Sequence, residues 1–185
     1  EGKNNMYRDD HARITSAVIL KMAQEGIYLS DGFIQGINDS LLSPFNVSKP
    51  GFQTFTSHHD YSRRKIKDFV AKARECLRIG DEYGAGMNIG FALHFLQDRC
   101  LGGVFINEFV MQHYRVEQRF SIQPIAENQI LDGLRDASGK WSDVEWVIEN
   151  TELSYTSWTA MMKACYVTAF ILRSLVKEPP PRMVV

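Results

Sequence analysis

Imidazole and carboxylate groups recur four residues apart in this chain, as His94 with Asp98 and His113 with Glu117. On a helix, side chains at that spacing share one face about a turn apart, so both can bind one cation. Imidazole plus carboxylate is a common donor pair for zinc. The remaining histidines are His11, at the start of a predicted helix, and His58 and His59, at the end of a long loop. A single His-x-x-x-Asp is often no more than a surface ion pair. His94, however, is flanked by Phe91, Ala92, Leu93, Phe95 and Leu96. Burying it there with Asp98 and no partner would cost on the order of several kcal/mol, which a shared cation would offset. The histidines, one Asp and one Glu are therefore expected to build a metal site.

The elements that must carry these groups read as helices. Residues 10–24 place Ile14, Ala17, Val18 and Met22 on one face, with Asp9 and Asp10 as cap and first turn. A second helix is predicted over 27–38. The stretch from Ser43 to His59 is a loop, punctuated by Pro44 and Pro50-Gly51. Residues 62–79 turn Ile66, Phe69, Val70, Ala73 and Leu77 inward and Arg63, Lys67 and Arg74 outward, and Gly80 ends them. A more apolar, central helix is expected over 86–100, broken at Gly102-Gly103. Further helices are expected over 105–120 and 124–135, with a polar turn at 136–142. The last helix, 154–176, aligns Met161, Cys165, Thr168 and Leu172 before Pro179-Pro180-Pro181 stops it. No strand and no repeat stands out. The class expected is all-α: one helical metal-binding domain over 1–178 and a flexible Pro-rich tail over 179–185.

Composition narrows the partners. With 21 basic and 22 acidic residues among 185, charge alone does not equip the chain to grip nucleic acid. Cys76, Cys100 and Cys165 are odd in number and fit no zinc-ribbon spacing, so no disulfide framework is expected. No apolar run approaches the roughly 20 residues that span a bilayer. The sequence opens on Glu1 rather than Met, so a trimmed terminus and an already removed export signal are both compatible with it.

Three segments occur in a telling order: Thr54-Phe55-Thr56-Ser57-His58, then Gly90-Phe91-Ala92-Leu93-His94-Phe95-Leu96-Gln97-Asp98, then His113-x-x-x-Glu117. This order resembles the zinc-dependent bacterial phospholipase C family, which shares its helical fold with fungal single-strand nucleases. The family signature is Ser-His in a loop, a helix reading Leu-His-Tyr-x-x-Asp, and His-x-x-x-Glu. His11 with Ile14 and Ala17 is similar to its first ligand helix, and the run from Lys163 to Ile171 resembles its closing helix.

The resemblance implies a phosphodiester hydrolase with one to three zinc ions. His58, His94 and Asp98 would hold one zinc, and Asp98 would bridge to another held by His11. His113 and Glu117 would take a third. Asp39 is the counterpart chosen for the general base, with Asp31 as its rival. His59 reads as a solvated loop histidine beside Asp60, or as the ligand itself if the register shifts by one. The chain departs from the family at Val104, where a further zinc-binding histidine is expected, and at Glu1, where the family opens on Trp. The third zinc would thereby lose a ligand. By the same resemblance the substrate is a phospholipid met in transient contact with a membrane surface, no stable nucleic-acid complex forms, and the protein works outside the cell or at its surface. Two alternatives accompany this expectation: a single-strand nuclease on the same fold, and a non-catalytic member with a partial metal site.

Overall fold

The last helix of the bundle is apolar on nearly every side and sits at its centre. In the computed structural model the described residues are 5–41, 63–101, 123–151 and 156–177. They form α1 (Asn5–Gln24), α2 (Asp31–Leu41), α3 (Arg63–Arg78), α4 (Glu82–Leu101), α5 (Glu127–Asp136), α6 (Trp141–Asn150) and α7 (Ser157–Val176). No strand occurs among these residues, and the all-α class expected from sequence is the one observed. By length and composition α7 could cross a membrane, yet 61% of its apolar stretch is buried inside the bundle. It serves as the core helix against which α4, α5 and α1 pack.

Local chemistry sets the boundaries. Gly26 and Gly80 adopt φ of 77° and 82°, which only glycine takes up readily, and each closes a helix. After α1, the Gly26 and Ile27 amides donate to the Ala23 and Met22 carbonyls; after α3, those of Gly80 and Asp81 donate to Leu77 and Cys76. Ser30 then caps α2, accepting from the Phe33 amide, and Asp81 caps α4, accepting from the Gly84 amide. The second helix therefore begins at Asp31 rather than at residue 27, because Ile27–Ser30 form the exit from one helix and the cap of the next. Asp9 and Asp10 are not a cap: α1 starts upstream of them, and Asp10 lies inside it, buried and paired with Arg13 at 3.2 Å.

Glycine also sets how closely α2 and α4 approach. A methyl group on Gly36 would run into the Tyr83 carbonyl oxygen, one on Gly86 into that of Phe33, and one on Gly90 into the Ser40 hydroxyl. The two backbones meet along this seam, and the C-terminus of α2 is pressed against the middle of α4. From the other side α3 packs on α4 through Ile66, Val70 and Ala73. The predicted core positions Ile14, Val18, Met22, Met161, Cys165, Thr168 and Leu172 are all buried, whereas Ala17, Phe69 and Leu77 are half-buried. Arg74, expected to face solvent, is half-buried over the Trp141 ring. The three cysteines are free thiols.

Candidate metal centre

Helical spacing brings His94 and Asp98 together as anticipated, with His94 Nε2 3.3 Å from Asp98 Oδ2. The other oxygen of the same carboxylate faces α1, where His11 Nε2 lies 3.2 Å from Asp98 Oδ1. One carboxylate thus stands between two imidazoles from different helices. The rings lie 4.2 Å apart, centroid to centroid, and tilted by 34°. The ligand atoms of His11, His94 and Asp98 all fall within 4.8 Å of one another, close enough to share one ion. The group is deeply set: His94 is fully buried, His11 is 6% exposed and the Asp98 side chain 12%.

A second layer of hydrogen bonds orients the imidazoles. His94 Nδ1 lies 3.0 Å from the Leu41 carbonyl oxygen, an acceptor only, so Nδ1 carries the proton and Nε2 points at Asp98. His11 Nδ1 lies 2.7 Å from Gln97 Oε1, and the Gln97 amide nitrogen reaches Thr15 Oγ1 and Thr168 Oγ1, each at 3.0 Å. In that amide orientation His11 also carries its proton on Nδ1. Metal-bound histidines are usually held in this way by their second nitrogen.

With both Nδ1 atoms protonated, each Nε2 meets Asp98 either as an imidazolium or as a bare lone pair. A lone pair facing a carboxylate is repulsive unless a cation lies between them. Two protons, or one divalent ion, satisfy the arrangement equally: in either case the three side chains and their cations carry a net charge of +1. The electrostatics agree. Burial disfavours the charged form of His11, but the Asp98 carboxylate, its hydrogen bond, that of Gln97 and the charge of Asp10 outweigh burial, raising the pKa above 6.5. Burial likewise works against ionised Asp98, yet the charges and hydrogen bonds of His94 and His11 hold its carboxyl well below the ordinary 3.8.

Of the residues singled out from sequence, His11, His94 and Asp98 converge. His58, His113 and Glu117 lie outside the described residues, as do His59 and Val104. Asp39 is exposed on α2, accepting from Gln35 Nε2 at 2.8 Å and from the Tyr83 hydroxyl at 2.9 Å. Asp31 is exposed in the first turn of α2. Neither belongs to the His–Asp–His group. Sequence reasoning assigned no role to Gln97 or Thr15, and it placed Thr168 on the buried face of the last helix without its hydrogen bond to Gln97. Their signal was a polar residue on an otherwise apolar helix face: Gln97 is 1% exposed, and Thr15 follows His11 by one turn.

No family model, curated protein or solved structure matches this chain.

Proposed function

We propose that the protein is a divalent-metal-dependent phosphodiester hydrolase, most like the zinc-dependent phospholipases C, with zinc at His11, His94 and Asp98. The observation that carries this reading is the carboxylate of Asp98 shared between two oriented Nε2 atoms. Two imidazoles and one carboxylate suit zinc, and catalytic zinc sites commonly use three protein ligands and leave a position open. A zinc ion held there would polarise a phosphoryl oxygen and supply hydroxide near neutral pH. The chain's own part is to fix the donors: Leu41 O holds His94, Gln97 holds His11, and both direct Nε2 inward. His58 belongs to the segment that leaves Leu41, and His113 and Glu117 to the one that follows α4; these are the further ligands proposed. Asp39, with Asp31 as rival, is the proposed base, both on the helix whose last carbonyl orients His94. Exposed Trp146 and Trp158, at 65% and 46%, suit transient contact with a phospholipid surface outside the cell.

A non-catalytic reading has one observation in its favour: the three side chains already meet at hydrogen-bonding distance, as a structural ion-paired cluster would. Elemental analysis of protein purified without a chelating column, followed by assays on lecithin-type lipid and single-stranded DNA, separates the readings. Hydrolysis of lipid that disappears in both His94→Ala and Asp98→Asn supports the phospholipase reading. Hydrolysis of DNA alone favours the nuclease. Bound zinc with no hydrolysis, or no bound metal at all, leaves the cluster structural.

A further inference from the structure

Two arginines come together where α3, α4 and α6 meet, without an acid of their own. Arg63 is the first residue of α3, Arg99 lies in the last turn of α4, and Glu149 lies in the last turn of α6. The Glu149 carboxylate feels the charge of both guanidinium groups. Lys67, one turn after Arg63, already holds that carboxylate at 2.6 Å. Arg63 Nη1 stands 3.8 Å from it, too far for a hydrogen bond. Arg99 makes no hydrogen bond and no close ion pair with any described residue. Burial and, after it, the charge of Arg63 lower the Arg99 pKa below the usual guanidinium value, and the Cys100 thiol and Glu149 only partly oppose them. Glu145 and Asp68 add negative charge at Lys67 but not at Arg99.

Both guanidinium groups are set in the same way. The Nε atom of each is enclosed and lacks a hydrogen-bond partner, while the Nη ends reach the surface and make no hydrogen bond to a described residue. The Arg63 side chain is 42% exposed, and Arg99 is half-buried. A fork fixed at its base and open at its tips is available to a ligand. Helix α3 adds to the field: it opens on Arg63, Arg64 and Lys65 with no acid in its first turn, at the end where the helix dipole itself favours an anion. Two guanidinium groups and a lysine share one carboxylate, which leaves positive charge uncompensated. A guanidinium fork matches oxygens in pairs. A phosphate monoester brings three such oxygens and close to two charges, where a carboxylate brings two oxygens and one charge.

We propose that Arg63 and Arg99 form a binding site for a phosphate group, whose oxygens accept from their Nη atoms. The group is carried on an anionic phospholipid or on a soluble phosphate. Arg99 follows Asp98 in the chain but turns toward α3 and α6, so the site shares no side chain with the metal centre and does not rest on hydrolysis.

The test uses the full chain, freed of metal with a chelator and then dialysed, so that no bound cation offers the anion a second site. It is titrated by calorimetry with inorganic phosphate, glycerol 3-phosphate and acetate at fixed ionic strength. Saturable binding of a phosphate is expected, with acetate at least about tenfold weaker. Arg63→Met and Arg99→Met should each weaken phosphate binding at least about tenfold with an unchanged circular dichroism spectrum. Glu149→Gln, which removes the competing carboxylate, should strengthen it several-fold, a gain that a purely structural role for the arginines would not produce. Should Arg99→Met fail to fold, Arg63→Met and Glu149→Gln decide. Phosphatidylcholine vesicles with and without phosphatidic acid then separate the sources. Sedimentation that requires phosphatidic acid and is lost in the arginine variants assigns the phosphate to a lipid; binding of the soluble phosphates without such sedimentation assigns it to a free one. No saturable binding of any phosphate in solution or on vesicles, acetate bound equally well, or affinities that none of the substitutions moves overturns the proposal.

Discussion

The rings of His11 and His94 lie 4.2 Å apart, centroid to centroid, and tilted by 34°, one from the first helix and one from the fourth, with Asp98 contributing an oxygen to each. Two imidazolium ions so close would repel each other, and the Asp98 carboxylate is the main group offsetting that repulsion, with Gln97 and Asp10 adding to it at His11. A single divalent ion removes both protons and the repulsion with them.

Metal binding should therefore depend on all three side chains. Zinc titrated into chelator-treated protein should bind at this group, and Asp98→Asn, which keeps shape but loses charge, should weaken that binding by at least about 100-fold. Competition with a chromophoric chelator measures the change. Unaltered affinity in Asp98→Asn would show that the ion lies elsewhere.

Gln97 joins α1, α4 and α7 through His11, Thr15 and Thr168. Gln97→Leu keeps the volume but strips three buried groups of a partner. It should lower stability by about 1–3 kcal/mol and zinc affinity by about 10–100-fold. Urea unfolding and the same competition assay read the two effects separately.

The pH dependence should reverse on metal loading. In the metal-free protein the raised His11 pKa contributes stability fully present below the unfolded value of 6.5 and lost as pH rises through the folded value. The depressed Asp98 pKa contributes stability present above 3.8 and lost as pH falls through its folded value. The pair therefore stabilises the metal-free protein most between those limits. Zinc competes with the protons, so stability of the loaded protein should climb with pH across the region where that of the metal-free protein declines. Denaturant midpoints from pH 5 to 8, with and without zinc, check the crossing; parallel profiles would contradict it.

Gly86→Ala illustrates a sign reversal. In an open helix this exchange gains roughly 1 kcal/mol. Here the added methyl would meet the Phe33 carbonyl oxygen and lie 2.9 Å from the Gly36 Cα, both backbone. A loss of about 2–4 kcal/mol is expected instead, and zinc affinity should fall as α2 is pushed off and the Leu41 carbonyl leaves His94. Thermal unfolding beside metal titration tests both halves.

Much of this could be read from the residue pattern, and the exceptions have physical reasons. The 3–4 spacing of Ile14, Val18 and Met22 placed α1, and Gly80 placed the end of α3, because burial periodicity and a positive φ leave direct marks on composition. His94 and Asp98 were visible because four-residue spacing is local. α6 was missed: it has ten residues, no capping side chain at Lys140, and an exposed Trp146 that blurs its inner face of Val144, Val147 and Ile148. Gln97 was missed because its partners lie on other helices, and no local rule reports them. Arg74 was misplaced outward because periodicity assigns a face but not what another helix lays over it; α6 brings Trp141 there.

The split of the centre between α1 and α4 has a consequence for timing during synthesis. His11 leaves the ribosome early and then waits while α2 and α3 emerge, since His94, Gln97 and Asp98 all follow them. A half-made chain owns one imidazole and no partner for it. Thr168, which steadies Gln97, arrives later still, on the helix that fills the core. If zinc binds at this centre as proposed, its capture would follow the emergence of α4, and its occupancy would certify that the first helix has docked against the fourth.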